Sequence, residues 1–498
     1  MDIIIISSNI VKNRKKWLLI HFFVSLVLLL LIEAVQIDAY NELFLFYALW
    51  QIIIYGRLLI SELSYPGLNI LSVLFVGTLV GLAIPSFMTS LELINGEKIF
   101  YEEINDVTGF MFHTSAAMNI YFCSFIMLVT FFTKGKIFVV NINQIAKRFN
   151  LFYLAIGVYF IALILRLIPF LELFSSTLAN LAGNLPMLVL FLLAAYCGYN
   201  PKHDKYYRLF IFLLIIEILY AMLFGYYKGT VARAAAMYIV YYYLYSRTLN
   251  KPIINGRIIV IGMLFLVFLL YIVYPFITLR RSESGFTAMT GMEDLNMVDN
   301  WSIFTRVITF DYEIMNNDTE SALSDRMSSL SDNAFFYQDA YFKGHHKDML
   351  THSIQVMIPR FLSPKKPEGS AGIMATNYVH FGSLYPIGDS ATSIGPFGGA
   401  YFWGGWPAVI LMCFVNSLVF SLLLTVCFSN LQNLFSWIFI FLMIFTMLMC
   451  FKESTDGGYS QDVYFIVYSI ITIVTSKLFV KKKRRIVLVN GNKKLKKS

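Results

Sequence analysis

Runs of about 20 apolar residues recur along most of this sequence, and they restrict the chain to one class of fold. A helix of that length is long enough to cross the hydrocarbon layer of a bilayer. Hydrophobic residues make up 58% of the 498 residues, and charged residues only 14%. Soluble domains carry roughly 25% charged residues, so the composition excludes a soluble core and predicts an all-α polytopic membrane protein.

The apolar runs predict about twelve spans, with one large hydrophilic loop between the ninth and the tenth. The spans fall near 17–35, 43–60, 67–91, 114–133, 150–171, 181–199, 208–225, 234–247, 257–278, 397–427, 433–451 and 463–480. The domains are therefore a membrane region (1–278), a loop with short helices (279–396), a second membrane region (397–480) and a basic tail (481–498). Within the loop, apolar residues at spacings of three and four predict a helix from Trp301 to Met315. The predicted apolar face consists of Trp301, Phe304, Val307, Ile308 and Ile314.

The net charge of +9 is concentrated at the two ends of the chain. Lys12, Arg14, Lys15 and Lys16 precede the first span, and a KKKRR run begins the tail at 481–485. Such clusters hold helix ends in the cytoplasm and are attracted to anionic membrane lipid. We therefore expect both termini to be cytoplasmic, the loop to be extracytoplasmic, and nucleic acid not to be a partner.

Three basic segments lie where this topology predicts the outer side. The segment 226–233, which we interpret as a turn before the eighth span, ends at Arg233. Arg280 and Arg281 open the long loop, and the segment 358–367 carries Arg360, Lys365 and Lys366 among three prolines. Arginine grips two phosphate oxygens at once, and proline rigidity preorganises neighbouring cations, so these residues suit a pyrophosphate. The alternatives are a structural loop resting on lipid headgroups at 358–367 and ordinary snorkelling for each arginine.

Ionisable residues within or beside the spans supply further candidates, because a charge in hydrocarbon is costly unless it is paired or hydrated. Arg166 in the fifth span is a candidate pyrophosphate ligand, and Glu217 in the seventh is a functional candidate or a structural partner. A general base would come from the loop. We favour His380 and Asp389, which flank a glycine-rich approach to the tenth span. The other available groups are Glu283, His345, His346 and His352.

The five cysteines lie in or beside apolar runs without metal-ligand spacing, so we interpret them as small core residues. The sequence contains no P-loop, dinucleotide-binding glycine fingerprint or HEXXH motif. Neither a metal nor a cofactor is therefore expected.

Four sequence segments carry a family resemblance: Lys-Gly-Thr-Val-Ala-Arg at 228–233, Arg280-Arg281, IPRFLSPKKP at 358–367, and GDSATSIGPFGGAYFWGGW at 388–406. Together with many spans, cytoplasmic ends and a large late loop, they resemble the Wzy-type polysaccharide polymerases, also called O-antigen or oligosaccharide repeat unit polymerases. The first segment departs from the compact Gly-Ser-Arg of that family. The resemblance implies a GT-C-like helical fold in the bacterial cytoplasmic (inner) membrane.

The resemblance also implies a glycosyltransferase that moves a growing glycan from undecaprenyl pyrophosphate onto a new lipid-linked repeat unit. Its product would be a surface polysaccharide such as O-antigen, capsule or exopolysaccharide, and its partners would include a chain-length regulator and a flippase. By this resemblance Arg233, Arg280, Arg281 and Arg360 hold the diphosphate, and Lys365 and Lys366 assist.

Two other functions fit the same features. An O-antigen ligase uses the same lipid diphosphate with lipid A core as acceptor. A lipid-linked oligosaccharide flippase would also have about twelve spans and basic cavity residues. A flippase has no need for a long outer loop, whereas an outer-face transferase needs a pocket that loops commonly supply. The loop therefore favours a transferase.

Overall fold

The computed structural model describes residues 8–35, 40–64, 68–96, 108–140, 142–146, 149–166, 176–202, 204–223, 228–251, 264, 267–273, 275–276, 297–309, 330–346, 351, 355, 395–448 and 459–479. Helices account for most of these residues, and no strand longer than an isolated bridge occurs among them. The chain divides into two compact units. Unit 1 is Met1–Val140 with Ser321–Ser498, and unit 2 is Asn141–Glu320.

The helices are numbered here in chain order. They are α1 (Ser8–Val35), α2 (Tyr40–Leu63), α3 (Ile70–Thr78), α4 (Ile84–Ile94), α5 (Thr108–Phe132), α6 (Asn143–Ala146), α7 (Leu151–Arg166), α8 (Ser176–Tyr199), α9 (Asp204–Leu223), α10 (Lys228–Thr248), α11 (Met297–Ile308), α12 (Leu330–Lys343), α13 (Pro396–Phe428), α14 (Leu434–Leu448) and α15 (Tyr459–Phe479). A π-helical segment, Leu79–Ala83, joins α3 to α4 directly before Pro85. In a regular helix a proline ring clashes with the carbonyl of the residue four positions before it, which here is Gly81. The wider π-helical turn relieves that clash.

Among the described residues, five segments are long and apolar enough to cross a membrane: Ile10–Ala34, Asn41–Leu63, Ile70–Ile94, Phe110–Phe132 and Pro396–Phe428. Four shorter apolar helices accompany them, at Leu151–Ile164, Leu185–Tyr199, Leu434–Ile444 and Phe465–Ser476. The prediction of an all-α fold with apolar helices suited to a membrane is therefore confirmed over the described residues. The count of twelve spans and the GT-C-like arrangement stay predictions.

Helix α1 reverses the usual pattern of a soluble helix. In the middle of the helix its exposed stripe is apolar, with Leu19, Phe23, Val27 and Leu30 each about half exposed. Its buried stripe carries Arg14, His21 and Ser25, which are all fully buried. Polar groups inside and apolar groups outside is the arrangement that hydrocarbon requires, because lipid cannot satisfy hydrogen bonds.

The buried polar side chains of α1, α2 and α5 form what we call the polar seam. It comprises Arg14, His21, Ser25, Tyr47, Gln51, Tyr55, Glu62, Ser115, Asn119 and Thr130. Ser25 Oγ lies 2.7 Å from the Tyr47 hydroxyl, and the Gln51 side-chain amide donates to Ser115 Oγ over 2.7 Å. These bonds link all three helices, so a slip of any one would leave buried donors unsatisfied.

His21 is the centre of the seam, and its partners define its tautomer. The indole N–H of Trp50 donates to Nδ1 over 3.2 Å, so the ring proton resides on Nε2. Nε2 then donates to Asn119 Oδ1 over 3.1 Å, and the Tyr55 hydroxyl donates to that same oxygen over 2.6 Å. Both ring nitrogens of a neutral histidine are thereby satisfied.

A buried ion pair lies at one end of the seam. Arg14 Nε donates to Glu62 Oε1 over 2.6 Å, and neither side chain is exposed. Arg14 also donates to Thr130 Oγ1 over 3.3 Å, while Asn69 donates to the second carboxylate oxygen of Glu62. These contacts satisfy both carboxylate oxygens of Glu62 and two of the three guanidinium nitrogens of Arg14, while Nη2 is buried without a partner in the described part of the chain. Such additional hydrogen bonds offset the cost of burying a charge pair.

Unit 2 contains two close helix contacts that depend on single residues. A Cβ on Gly198 of α8 would lie 2.5 Å from Leu244 Cβ of α10, so only glycine allows this approach. Glu217 of α9 is fully buried and accepts a hydrogen bond from the Tyr159 hydroxyl over 3.1 Å. This contact supports a structural role for Glu217.

The loop helix predicted at Trp301 to Met315 exists as α11, but it begins earlier, at Met297. Its buried side chains are Ile303 and Val307, whereas Trp301 is 70% exposed and Ile308 is 50% exposed. The predicted apolar face is therefore only partly correct, because Val307 is buried whereas Trp301 and Ile308 are exposed. The helical spacing alone does not show which neighbouring apolar surface the helix will meet.

The buried ion pair generates a stability prediction. Glu62→Gln leaves the Arg14 guanidinium buried without a counter-charge, which we expect to destabilise the protein by about 3 to 5 kcal/mol. The double variant Arg14→Met/Glu62→Leu should recover most of that loss, since it buries no charge. Thermal unfolding of purified protein in detergent measures both. Glu42→Gln, at an exposed acid on α2, is the matched control. Equal melting of Glu62→Gln and wild type would contradict the assigned role.

Candidate functional site

Helix α12, from the long loop, belongs to unit 1 and packs against α5 and α13. Asn333 Oδ1 accepts the backbone N–H of Gly398 over 2.9 Å, which satisfies one of the free donors in the first turn of α13. Phe336 packs edge-to-face on Phe402 with ring centroids 5.2 Å apart. Gly344 ends α12 in the left-handed conformation, at φ 91°. The segment 345–346 then turns back along α13, where His346 N donates to Phe402 O over 2.9 Å.

A kink in α13 makes room for this segment. Gly405 has φ 65° and ψ −159°, a conformation available essentially to glycine alone. A Cβ at this position would also lie 2.6 Å from His345 Nε2. The kink therefore separates the first turns of α13 from the long apolar part, and His345 packs directly against it.

Asp339 is the buried acid of this site. Its Oδ2 lies 3.1 Å from His346 Nε2, and its Oδ1 lies 2.6 Å from Lys343 Nζ. The carboxylate is 1% exposed, the imidazole 13% and the lysine 59%. Burial acts to raise the pKa of Asp339, but the hydrogen bonds and positive charge of His346 and Lys343 outweigh it and hold the pKa below its ordinary value.

A second acid–histidine pair lies between α1, α5 and α12. Glu33 Oε1 is 3.2 Å from His113 Nε2, and the carboxylate is 40% exposed while the imidazole is 7% exposed. The ring of His113 stacks on Tyr337 with centroids 5.0 Å apart and planes 19° apart. Burial raises the pKa of Tyr337, and nearby Tyr401 and Glu33 act in the same direction.

Together these residues form what we call the bundle-end cluster: Glu33, His113, Tyr337, Asp339, His345, His346 and Tyr401. Ring contacts lead from His113 through Tyr337 and Tyr401 to His345, the neighbour of His346 in the chain, with the rings of Tyr337 and Tyr401 4.3 Å apart. Asp339 orients an imidazole that remains partly accessible, which is an arrangement found in proton-transfer sites. The aromatic rings supply flat apolar faces beside hydrogen-bonding groups.

Unit 2 brings the start of α10, which carries Arg233, together with residues 273 and 276. Val231 of α10 packs in one apolar cluster with Val273, Phe276, Ile303 and Val307. Val231 is two residues from Arg233, and Phe276 is four residues from Arg280. The start of α10 and the chain leading to Arg280 are therefore neighbours. Helix α11, which carries Arg306, packs in the same cluster through Ile303 and Val307.

The segment 226–233 differs from its expected form. It was interpreted as a turn before the eighth span, but α10 begins at Lys228, so Arg233 lies on the second turn of that helix. Ala232, Ala234, Ala235 and Ala236 favour the helical conformation here.

Most of the predicted site residues lie outside the described residues. They are Arg280, Arg281, Arg360, Lys365, Lys366, His380 and Asp389. The side chains of Arg233 and Arg166 are outside them as well, although both residues belong to helices, α10 and α7. Their assigned roles stay predictions.

Sequence reasoning missed Glu33, His113 and Asp339, and it ranked His346 below His380. The Glu33–His113 pair joins residues 80 apart in the chain, so no local pattern reveals it. The sequence did contain a local sign of the Asp339 contacts. Lys343 lies four residues after Asp339, within reach on the same helix, and His345 and His346 follow directly after Gly344.

Within the described part of the chain, no group of three His, Cys, Asp or Glu residues is placed to hold a metal ion. Cys123, Cys197, Cys413 and Cys427 are buried and free, so the prediction that they are core residues is confirmed for these four. Cys450 lies outside the described residues.

Comparison with protein families, with curated proteins and with solved structures finds no match for this chain.

The Asp339 contacts generate a prediction about how α12 is held. Asp339→Asn keeps the side-chain shape but loses two charge-assisted bonds, each worth about 1.5 to 3 kcal/mol, so backbone amides over 330–346 should exchange at least tenfold faster. Hydrogen exchange with mass spectrometry at neutral pH measures this. Lys343→Gln removes only the exposed partner and should change exchange much less.

The same contacts have a defined pH dependence. Because the folded pKa of Asp339 lies below its ordinary value, its stabilising contribution is complete above the ordinary aspartate range and is lost as pH falls through the lowered pKa. Unchanged exchange in Asp339→Asn would show that α12 is held without this carboxylate.

Proposed function

We propose that this protein is a membrane glycosyltransferase that polymerises lipid-pyrophosphate-linked oligosaccharide repeat units into a surface polysaccharide. The donor is a glycan on undecaprenyl pyrophosphate, the acceptor is a second lipid-linked repeat unit, and the site of action is the outer face of the bacterial cytoplasmic membrane. The resemblance of the four sequence segments to Wzy-type polymerases is the origin of this proposal.

One structural observation carries the proposal further than the sequence does. Helix α12, from the long hydrophilic loop, packs on the helix ends of unit 1 and places the Asp339–His346 pair beside the start of α13. A transferase that acts at a membrane surface needs proton-transfer groups where the lipid-linked substrate emerges. A flippase needs its polar groups along a path between the helices instead.

The orientation of unit 1 supports an outer-face site. Glu33 and the start of α5 lie at one end of α1, while the basic residues Lys12 to Lys16 lie at the other. If basic residues remain in the cytoplasm, the bundle-end cluster faces outward. Both termini are then cytoplasmic, as proposed for this family.

The reaction follows from the chemistry of the proposed substrates. The acceptor hydroxyl attacks the anomeric carbon of the donor sugar, and the bond from that carbon to the pyrophosphate oxygen breaks. The electron pair leaves with undecaprenyl pyrophosphate, whose developing charge Arg233, Arg280, Arg281 and Arg360 stabilise. Lys365, Lys366 and Arg166 add positive charge, and a base removes the acceptor proton.

Three groups compete for the role of base. His380 and Asp389 were favoured from the sequence. The described geometry adds His346, because the buried carboxylate of Asp339 fixes its ring while 13% of its side chain stays exposed. Nothing in this reaction calls for a nucleotide or a metal ion.

The proposal predicts polymer growth without an energy source. Purified protein incubated with lipid-linked repeat units alone should yield a ladder of glycan lengths in the absence of ATP, because the pyrophosphate linkage already carries the activation. Gel separation of the products measures it. If transfer occurs only after lipid A core is added, the protein is a ligase. If the lipid-linked glycan only changes leaflet in vesicles, it is a flippase.

Arg360→Ala is the variant for this assay, with Arg360→Lys as its conservative partner. Loss of one bidentate contact to the leaving group should reduce chain growth by about 100-fold or more, while membrane insertion stays intact. A wild-type ladder from Arg360→Ala would remove the assigned phosphate contact. It would leave the polymerase proposal to stand on the wild-type result.

A further inference from the structure

The Glu33–His113 pair is unusual for a structural contact, because the exposed fraction of its two members differs strongly. His113 is nearly fully buried and stacked on Tyr337, whereas the carboxylate it holds is 40% exposed. A carboxylate that served only to satisfy a buried histidine would be expected to lie inside with it. Here the buried residue orients the accessible one.

Aromatic side chains surround His113, the partner of this carboxylate, with the Phe110 ring centroid 5.5 Å from that of His113. Phe110 packs against Tyr341 and Phe342, with centroids 5.4 Å away in each case, and His113 lies 6.2 Å from Tyr341. Tyr341 is 49% exposed and Phe342 is 68% exposed. The surface therefore combines open ring faces with one fixed hydrogen-bond acceptor.

That combination favours a particular ligand chemistry. A pyranose presents an apolar C–H face, which packs on an aromatic ring, and equatorial hydroxyls, which donate to a carboxylate. Lipid chains would also cover exposed rings, but they have no group that a carboxylate can accept from. An anionic phosphate is disfavoured, because Glu33 would repel it.

The aromatic surface and the Asp339–His346 pair, which is proposed to transfer a proton, lie at different places on α12. Asp339 lies two residues from both Tyr337 and Tyr341, which on a helix places it about 200° around the axis from each, on the other side of α12. Phe342, three residues after Asp339, is only about 60° from it and therefore lies at the edge of the surface nearest the carboxylate. A sugar on Phe110 and Tyr341 is thus separated from the Asp339–His346 pair by roughly one helix diameter, about 10 Å. It would belong to the same glycan without being the sugar whose hydroxyl reacts.

We infer that Glu33, His113, Phe110, Tyr341 and Phe342 form a sugar-binding subsite for a hydroxyl-bearing pyranose of the repeat unit, away from the bond that forms. Glu33 accepts the sugar hydroxyls, His113 positions Glu33, and the three rings cover the sugar face. The role of this subsite in recognising the repeat unit rests on the proposed function. Its ability to bind a glycan does not.

The first test measures binding without catalysis. The probe is the oligosaccharide released by mild acid from the lipid-linked repeat units, titrated into the purified full-length protein by calorimetry. Loss of a hydrogen bond to a charged acceptor should weaken binding by about tenfold or more in Glu33→Gln. Tyr341→Ala should do the same, and Tyr341→Trp should retain binding. Glu42→Gln, an exposed acid at the same end of unit 1, is the matched control.

The second test separates recognition from chemistry in the polymerisation assay. Because the subsite contacts the substrate equally before and during reaction, Glu33→Gln and Tyr341→Ala should raise KM about tenfold and leave kcat nearly unchanged. His346→Ala should instead lower kcat if His346 is the base. Melting temperatures verify that each variant is folded. If Glu33→Gln does not fold, the variants of the exposed Tyr341 test the subsite on their own.

The outcomes of the two tests are distinct. If the wild type binds no glycan, or if Glu33→Gln and Tyr341→Ala bind it as the wild type does, the subsite is wrong. If the wild type makes a ladder in either case, the proposed function survives. If binding depends on Glu33 and Tyr341 but no ladder forms, the subsite stands and the polymerase proposal falls.

Discussion

Every polar group placed in hydrocarbon must find its partner within the protein, and this constraint organises unit 1. Arg14 pairs with Glu62, and His21 engages Trp50 and Asn119, so α1, α2 and α5 can adopt only one register. That register also determines what lies at the far end of the bundle. With Arg14 fixed beside Thr130 of α5, the opposite ends of α1 and α5 bring Glu33 to His113.

The proposed function depends on a helix of the long loop that packs against this end of unit 1. Helix α12 lies across the starts of α5 and α13, stacking Tyr337 on His113 and capping α13 with Asn333. One side of α12 thereby faces the Glu33–His113 pair, and the other carries Asp339, which binds His346 just beyond the end of the helix. In the proposed function, the aromatic rings and Glu33 therefore recognise a sugar on one side of α12, and proton transfer takes place on the other side.

The helical class of the fold was predictable because the thickness of a bilayer dictates the length of apolar runs. The polar pairs inside it were not, since Arg14 and Glu62 lie 48 residues apart and Glu33 and His113 lie 80 apart. Local patterns also misled in places. The expected face of α11 included the exposed Trp301, and the segment before Arg233 proved helical. Helix α12 was not predicted, because the partners of its aromatic residues come from α5 and α13.

The central claim is that the bundle-end cluster faces the extracytoplasmic side, and cysteine labelling tests it most directly. Lys343→Cys and Lys15→Cys, each exposed, are compared in a Cys450→Ser background where the four described cysteines are buried. A membrane-impermeant maleimide added to intact bacterial cells should label Lys343→Cys at once and Lys15→Cys only after permeabilisation. Labelling of Lys15→Cys in intact cells, with Lys343→Cys protected, would contradict the account.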